Sequence, residues 1–235
     1  EAMGYPIQAI HVPKTVDNDL PITDCCPGFG SVAKYIAVST LEASFDVKSM
    51  AKTSTKVFVV EVMGRHAGWI ALHSGIAGGA ACILIPEVKF SVDKVCEYVK
   101  SRFETGTAPI IVIAEGAIPQ DGDMIVKDQE LDAFGHVKLS GIGEWLAQEI
   151  EKKTGYETRC TVLGHIQRGG TPTAFDRVLS SRFGLEAITA AHQGDWGTMM
   201  ALHGTDIVHV PLASATDVLK TVPVSRYEEV FSFFG

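Results

Sequence analysis

The apolar segment Ile7 to Val12 runs into Pro13 and then a polar cluster, Lys14-Thr15-Val16-Asp17-Asn18-Asp19. That pattern predicts a buried strand delivering a loop. From Val32 to Phe45 the apolar positions recur at helical spacing, with Gly28-Phe29-Gly30 ahead and Ser31 placed to act as N-cap. Lys56 to Met63 alternates and then becomes fully apolar, as a strand buried on both faces does. Gly64 and Gly68 bracket Arg65 and open a helix over Trp69 to Gly78. Ala81 to Pro86 reads as a strand, Ser91 as the cap of a helix running to about Thr105, and Pro109 to Ala114 as a buried strand ending at Glu115. Lys127 to Leu139 is polar and loop-like. Ser140 to Thr154 reads as a helix stopped by Gly155, Glu157 to Leu163 as a strand, and Gly164 to Pro172 as a loop. Thr173 to His192 is a long helix, Thr205 to Pro211 a short strand, and the tail is acidic and aromatic.

Strands alternating with helices of this length predict βαβ units, and so an α/β fold with mostly parallel sheets. The chain has 235 residues, 46% hydrophobic and 20% charged, enough apolar material for one large core or two smaller ones. No apolar run approaches the ~18 residues of a membrane span. No basic, then apolar, N-terminal segment marks a secretory signal. The five cysteines, including the adjacent Cys25 and Cys26, fall in no zinc or redox spacing. An odd count without a signal predicts reduced thiols and a cytoplasmic protein. A net charge of −8 argues against a nucleic-acid surface, and leaves room for a local basic site that holds a phosphorylated ligand.

In an open α/β sheet the loop at a strand's carboxyl end is where ligands bind. Asp17 and Asp19 could therefore serve as general base and as partner to a cation, and Lys14 could hold a phosphate as a point charge. On spacing alone an Asn-Asp pair after Pro is an ordinary turn, and Arg65 an ordinary surface cation.

Taken together, four stretches in order change that balance. Pro13-Lys14-Thr15-Val16-Asp17-Asn18-Asp19 resembles the catalytic loop of the phosphofructokinase family. Val60-Glu61-Val62-Met63-Gly64-Arg65-His66-Ala67-Gly68 resembles its Met-Gly-Arg sugar-binding segment, and Ala114-Glu115-Gly116 the strand end carrying its sugar-binding glutamate. Leu163-Gly164-His165-Ile166-Gln167-Arg168-Gly169-Gly170, followed by Asp176-Arg177, resembles its His-x-x-Arg phosphate loop. One such motif is weak evidence, and four in order over residues 5 to 190 are highly specific.

The resemblance implies two three-layer α/β domains. Residues 1–28 and 167–222 would belong to a phosphoryl-donor domain, and 29–166 with 223–235 to a sugar-phosphate domain. It implies phosphoryl transfer to fructose 6-phosphate with Mg²⁺, in glycolysis, by a homodimer or homotetramer. Asp17 would be the base, Asp19 would orient the loop and meet the metal or its waters, and Thr15 would donate to the phosphoryl group. Arg65 would bridge donor and acceptor. Met63, Gly64, Glu115, His165 and Arg168 would hold the sugar phosphate. Arg159 would reach the sugar phosphate of a neighbouring subunit, and so would a second cation where the family has Arg and this chain has Lys56, which keeps the charge and loses the fork. The family's Gly-rich donor loop, which carries the main metal ligand, is expected upstream of Glu1, making this the carboxyl-terminal part of a longer chain.

Lys14 bears on the donor. Diphosphate-dependent members of the family have Lys at that position and many ATP-dependent members have Gly, while some ATP-using relatives also carry Lys. The expected activity is diphosphate-dependent 6-phosphofructokinase, with the ATP-dependent enzyme as one alternative and a non-catalytic sugar-phosphate-binding regulatory subunit as another. Ala81 stands where effector-sensitive members have an acidic residue, so little response to ADP is expected.

Overall fold

A computed structural model of the chain describes residues 4–5, 7–106, 108–120, 122, 126–131, 137–139, 141–230 and 232. It is an α/β structure that divides into two compact units. Unit one comprises Glu1–Ser31 and Thr171–Lys220, and unit two Val32–Gly170 and Thr221–Gly235.

The elements run β1 (Ile10–His11), α1 (Phe29–Met50), β2 (Val57–Val62), α2 (Trp69–Gly78), β3 (Cys82–Leu84), α3 (Val92–Glu104) and β4 (Ile110–Ala114). After them come β5 (Val126–Leu131), β6 (Val137–Leu139), α4 (Ile142–Thr154), β7 (Thr158–Val162), α5 (Ala174–Gln193), β8 (Thr198–His203), β9 (Asp206–Pro211) and α6 (Val224–Glu228).

Unit two is built on a four-stranded, all-parallel sheet in the order β3-β4-β2-β7. The central strands explain the continuous apolar runs: every residue of β4 is buried, as is nearly all of β2. Their core packs against α3 and α4 through Val95, Val99, Leu146 and Ile150. The polar exception is Glu61 on β2, 2% exposed. Its carboxylate accepts the Gly143 N–H at 2.8 Å and the Gly141 N–H at 3.4 Å, at the positive end of α4. A Cβ on Gly143 would sit 3.0 Å from that side chain, so only glycine lets helix and carboxylate approach this closely.

Unit one holds a three-stranded sheet, β1-β8-β9, parallel between β1 and β8 and antiparallel between β8 and β9. On one face α5 contributes Leu179, Phe183 and Ala190, which pack with Met200 and Leu202.

Several sequence expectations need correction. The strand expected over Ile7 to Val12 forms only at Ile10–His11, where β8 offers partners, and Pro13 has no N–H to extend it. Ser31 is not a cap: α1 begins two residues earlier, and Ser31 lies in its first turn with its N–H donated to the Asp176 carboxylate at 2.7 Å. The region read as a loop over Lys127 to Leu139 contains the antiparallel pair β5–β6, whose backbone pairing needs no apolar alternation. The expected strand at Thr205 to Pro211 exists as β9, but its partner β8 escaped the pattern, because the Met-Met-Ala-Leu centre of Thr-Met-Met-Ala-Leu-His neither alternates nor carries the β-branched residues that mark β2 and β4. Within the expected loop Gly164 to Pro172, Gly164–Arg168 forms a 3₁₀ turn.

Candidate active site

In unit one the loop after β1 holds Thr15 and Asp17 side by side. The Asp17 N–H donates to Thr15 Oγ1 at 3.1 Å, and that hydroxyl donates to Asp17 Oδ2 at 3.4 Å. A two-residue hydroxyl turn of this kind fixes carboxylate and hydroxyl together. Both are half-buried, as is Asp19, and Lys14 is exposed. Asn18, 4% exposed, takes a left-handed conformation with φ 54°. Asparagine tolerates that geometry because its side chain can bond locally. Here Oδ1 accepts the Cys26 N–H at 2.9 Å and the Lys220 ammonium at 3.2 Å. The rest of the turn is tied to β8: Leu202 N–H donates to Thr23 Oγ1, and Asp24 N–H to the Leu202 carbonyl.

In unit two, three adjacent parallel strands deliver their loops at one edge. β4 is followed by Glu115, β2 by Met63-Gly64-Arg65, and β7 by the turn carrying His165 and Arg168. The first two loops are clamped by backbone bonds, Glu115 N–H to the Val62 carbonyl at 2.9 Å and Gly116 N–H to the Gly64 carbonyl at 3.1 Å. Gly64 has φ +135° and a Cβ there would fall 2.8 Å from the Ala67 carbonyl oxygen, while a Cβ on Gly116 would fall 2.0 Å from the Arg65 carbonyl oxygen, so neither position accepts a side chain without the loop moving. Gly68, at the head of α2, donates its N–H to both carboxylate oxygens of Glu87, at 2.9 and 3.1 Å. His165 and Arg168 are exposed and three residues apart in a 3₁₀ turn, where side chains at i and i+3 eclipse.

Lys56 and Arg159 lie elsewhere on the same unit. Both sit toward the amino ends of β2 and β7, and Arg159 stands opposite Phe58 in the register. Lys56 faces the rings of Phe103 and Tyr156 at 5.8 and 5.9 Å, and Arg159 pairs with Glu157 at 3.2 Å. The six residues of β2 separate Lys56 from Met63, a span of about 23 Å.

Three residues that the sequence did not single out organise these loops. Gln167, fully buried, accepts the Met63 N–H and donates to the Gly164 carbonyl. Asp176 caps α1 through Ser31. Lys220 binds the loop around Asn18. The first two lie in stretches that carry the family resemblance, and no local pattern marks Lys220.

The cysteines take no visible part. All five are free thiols. Burial pushes Cys25 and Cys26 up to about 11, and Cys82 and Cys160 up to about 12. Among the described residues no group of three or more His, Cys, Asp or Glu side chains converges as a metal-binding set. A Mg²⁺ bound chiefly by substrate phosphates and water needs only one or two protein carboxylates, and Asp19, half-buried in the loop after β1, would offer one. No helix among the described residues is long and apolar enough to cross a membrane.

A family model described as Phosphofructokinase matches residues 1–191. The chain is 59% identical over 231 residues to the pyrophosphate–fructose 6-phosphate 1-phosphotransferase of Streptomyces coelicolor, covering 98% of this chain and 66% of that one. It is 49% identical over 230 residues to the ATP-dependent 6-phosphofructokinase of Mycobacterium bovis, covering 97% of this chain and 66% of the relative. Among solved structures, the pyrophosphate-dependent phosphofructokinase from Marinobacter aquaeolei aligns with TM-score 0.81 at 38% identity, covering 95% of this chain and 56% of that one. The chain thus spans about two thirds of the length of these curated relatives.

Proposed function

The chain belongs to the phosphofructokinase family, and on that premise we propose that the full-length protein transfers a phosphoryl group from diphosphate to the 1-hydroxyl of fructose 6-phosphate. The products are fructose 1,6-bisphosphate and phosphate. The observation that carries this reading is the hydrogen-bonded Thr15–Asp17 pair with Lys14 beside it. The higher identity to the diphosphate-using relative than to the ATP-using one supports the choice of donor.

Phosphoryl transfer asks the protein for positioning and charge neutralisation more than for covalent chemistry. Asp17 accepts the proton of the sugar 1-hydroxyl as its oxygen bonds to phosphorus and the bridging P–O bond breaks. Inorganic phosphate leaves with the bond's electron pair. Thr15 donates to the phosphoryl oxygens, and Arg65 neutralises charge that builds between donor and acceptor. Lys14 stabilises the departing phosphate, where a transition-state contact acts on kcat. A bound Mg²⁺ would neutralise charge on the donor phosphates, with Asp19 holding it or its waters. His165 and Arg168 grip the 6-phosphate, the arginine through a bidentate fork. Glu115 accepts from sugar hydroxyls, and Met63 and Gly64 present backbone to the ring.

Unit one would take the donor and unit two the sugar phosphate. Arg159 and Lys56 stand at the strand ends opposite Met63 and His165, so we assign them to the sugar phosphate of a neighbouring copy. The active protein is then at least a dimer.

The test compares diphosphate and ATP at equal concentration with fructose 6-phosphate and Mg²⁺ in the full-length protein. Turnover with diphosphate and little with ATP is expected. Robust ATP turnover without diphosphate turnover would install the ATP-dependent reading, and sugar phosphate binding without turnover by either donor would install the regulatory one.

A further inference from the structure

We propose that Lys220 is a positioning residue for the phosphoryl-transfer loop, holding the Asp17-Asn18-Asp19 turn rigid through its ammonium; this rests on the function proposed above. The geometry is that of a three-donor group meeting three acceptors. Lys220 Nζ donates to the Thr23 carbonyl at 2.7 Å, the Asp24 carbonyl at 3.2 Å and Asn18 Oδ1 at 3.2 Å. Its own backbone N–H donates to the Asp19 carbonyl at 2.8 Å. One residue thus touches the loop at four points between Asn18 and Asp24, across 202 positions of sequence from Asn18.

The loop is one that needs such a tie. Asn18 is left-handed at φ 54°, and so is Ile22 at φ 61°, a conformation that a β-branched residue adopts only under outside constraint. No helix or sheet ladder runs through residues 12–28 to impose it. The constraint comes from Lys220 on one side and from the β8 end on the other, where His203 Nε2 contacts the Ile22 carbonyl at 2.9 Å. Burial pushes the ammonium's pKa down, and the nearby Cys26, Cys25, Asp24 and Asp19 act in the opposite sense. A desolvated charge kept on backbone oxygens gives stiff, charge-assisted bonds. Lys220 therefore acts on the carboxylates through the backbone that carries them. A loop loosened by as little as ~1 Å can cost on the order of 10²-fold in rate.

The test uses the full-length protein and two variants, Lys220→Met and Lys220→Gln. Three quantities are measured: kcat and KM with diphosphate, Mg²⁺ and fructose 6-phosphate; the unfolding midpoint; and amide hydrogen exchange. The expected result is a kcat lower by ~10–100-fold, a sugar KM within about threefold of wild type, and faster exchange confined to residues 17–26. Unchanged kcat overturns the proposal, and so does faster exchange spread over the whole chain with kcat and KM moving together. Should neither variant fold, Asn18→Gly carries the test. It keeps the left-handed turn and deletes the oxygen shared by Lys220 and Cys26, so it should give the same kcat-only loss, and a normal kcat would refute the role. A wild-type protein with no turnover on either donor would sink the functional reading alone, because the exchange measurement still reports whether Lys220 holds the loop.

Discussion

Gln167 and Met63, 104 positions apart, are joined by a hydrogen bond of 3.1 Å from the Met63 N–H to Gln167 Oε1. The same side chain donates to the Gly164 carbonyl at 2.6 Å. A single buried amide therefore locks the Met-Gly-Arg loop after β2 to the His165–Arg168 turn after β7. Its two neighbours in the motif, Ile166 and Arg168, are exposed, so the 3₁₀ turn directs Gln167 inward while offering Arg168 outward.

Gln167→Ala should leave the Met63 N–H without that acceptor and uncouple the two loops. Loss of buried hydrogen bonds of this kind costs about 1–3 kcal/mol. The expected outcome is a matching loss of stability and a raised KM for fructose 6-phosphate, with kcat reduced less. Denaturant unfolding and steady-state kinetics check it, and an unchanged sugar KM would remove Gln167 from the organisation of the site.

Asp17→Asn in the full-length protein removes the proposed base and keeps the side chain's shape. Turnover should fall by ~10²–10⁴-fold, the range for losing a positioned proton acceptor, with sugar affinity nearly intact. Calorimetric binding of fructose 6-phosphate alongside the rate separates the two effects.

Arg159→Ala lends itself to complementation. Alone, it should raise the sugar KM, since a hydrogen bond from arginine to a charged group contributes ~1.5–3 kcal/mol. Mixed with Asp17→Asn under conditions that let subunits exchange, a component with the wild-type sugar KM should reappear, because one shared site regains both an intact Asp17 and a neighbour's intact Arg159. A sugar KM that stays raised after exchange would place Arg159 outside the neighbouring copy's site.

The thiols should be sluggish. With Cys25 and Cys26 held near 11, against an ordinary value of 9.0, only ~10⁻³ of either is thiolate at pH 8, about a hundredfold less than an unperturbed thiol. Iodoacetamide should alkylate the native protein correspondingly slowly at pH 8 and rapidly in denaturant. Fast native labelling at Cys25 or Cys26 would contradict the burial that raises them.

The sequence by itself determined those elements whose burial is uniform or strictly periodic. The Ile-Ile-Val-Ile-Ala run of β4, the apolar close of β2, the Trp69–Gly78 helix and the Ser91 cap, whose hydroxyl accepts the Lys94 N–H at 3.4 Å, all follow from neighbours within a few residues. The candidate site was legible to the extent that its residues cluster at strand ends. Asp17, Arg65, Glu115, His165 and Arg168 all follow strands that the pattern predicts. Tertiary structure decided the rest. Asp176 caps a helix 145 positions away, Gln167 couples two loops 104 apart, and Lys220 closes on Asn18 across 202. Each is a polar side chain whose partner is a backbone group or amide remote in sequence, so no local period or spacing encodes the match. The β8 strand was lost for a related reason. Its Met-Met-Ala-Leu centre neither alternates nor carries the β-branched residues that mark β4, and it becomes a strand only where β1 and β9 supply hydrogen bonds on either side.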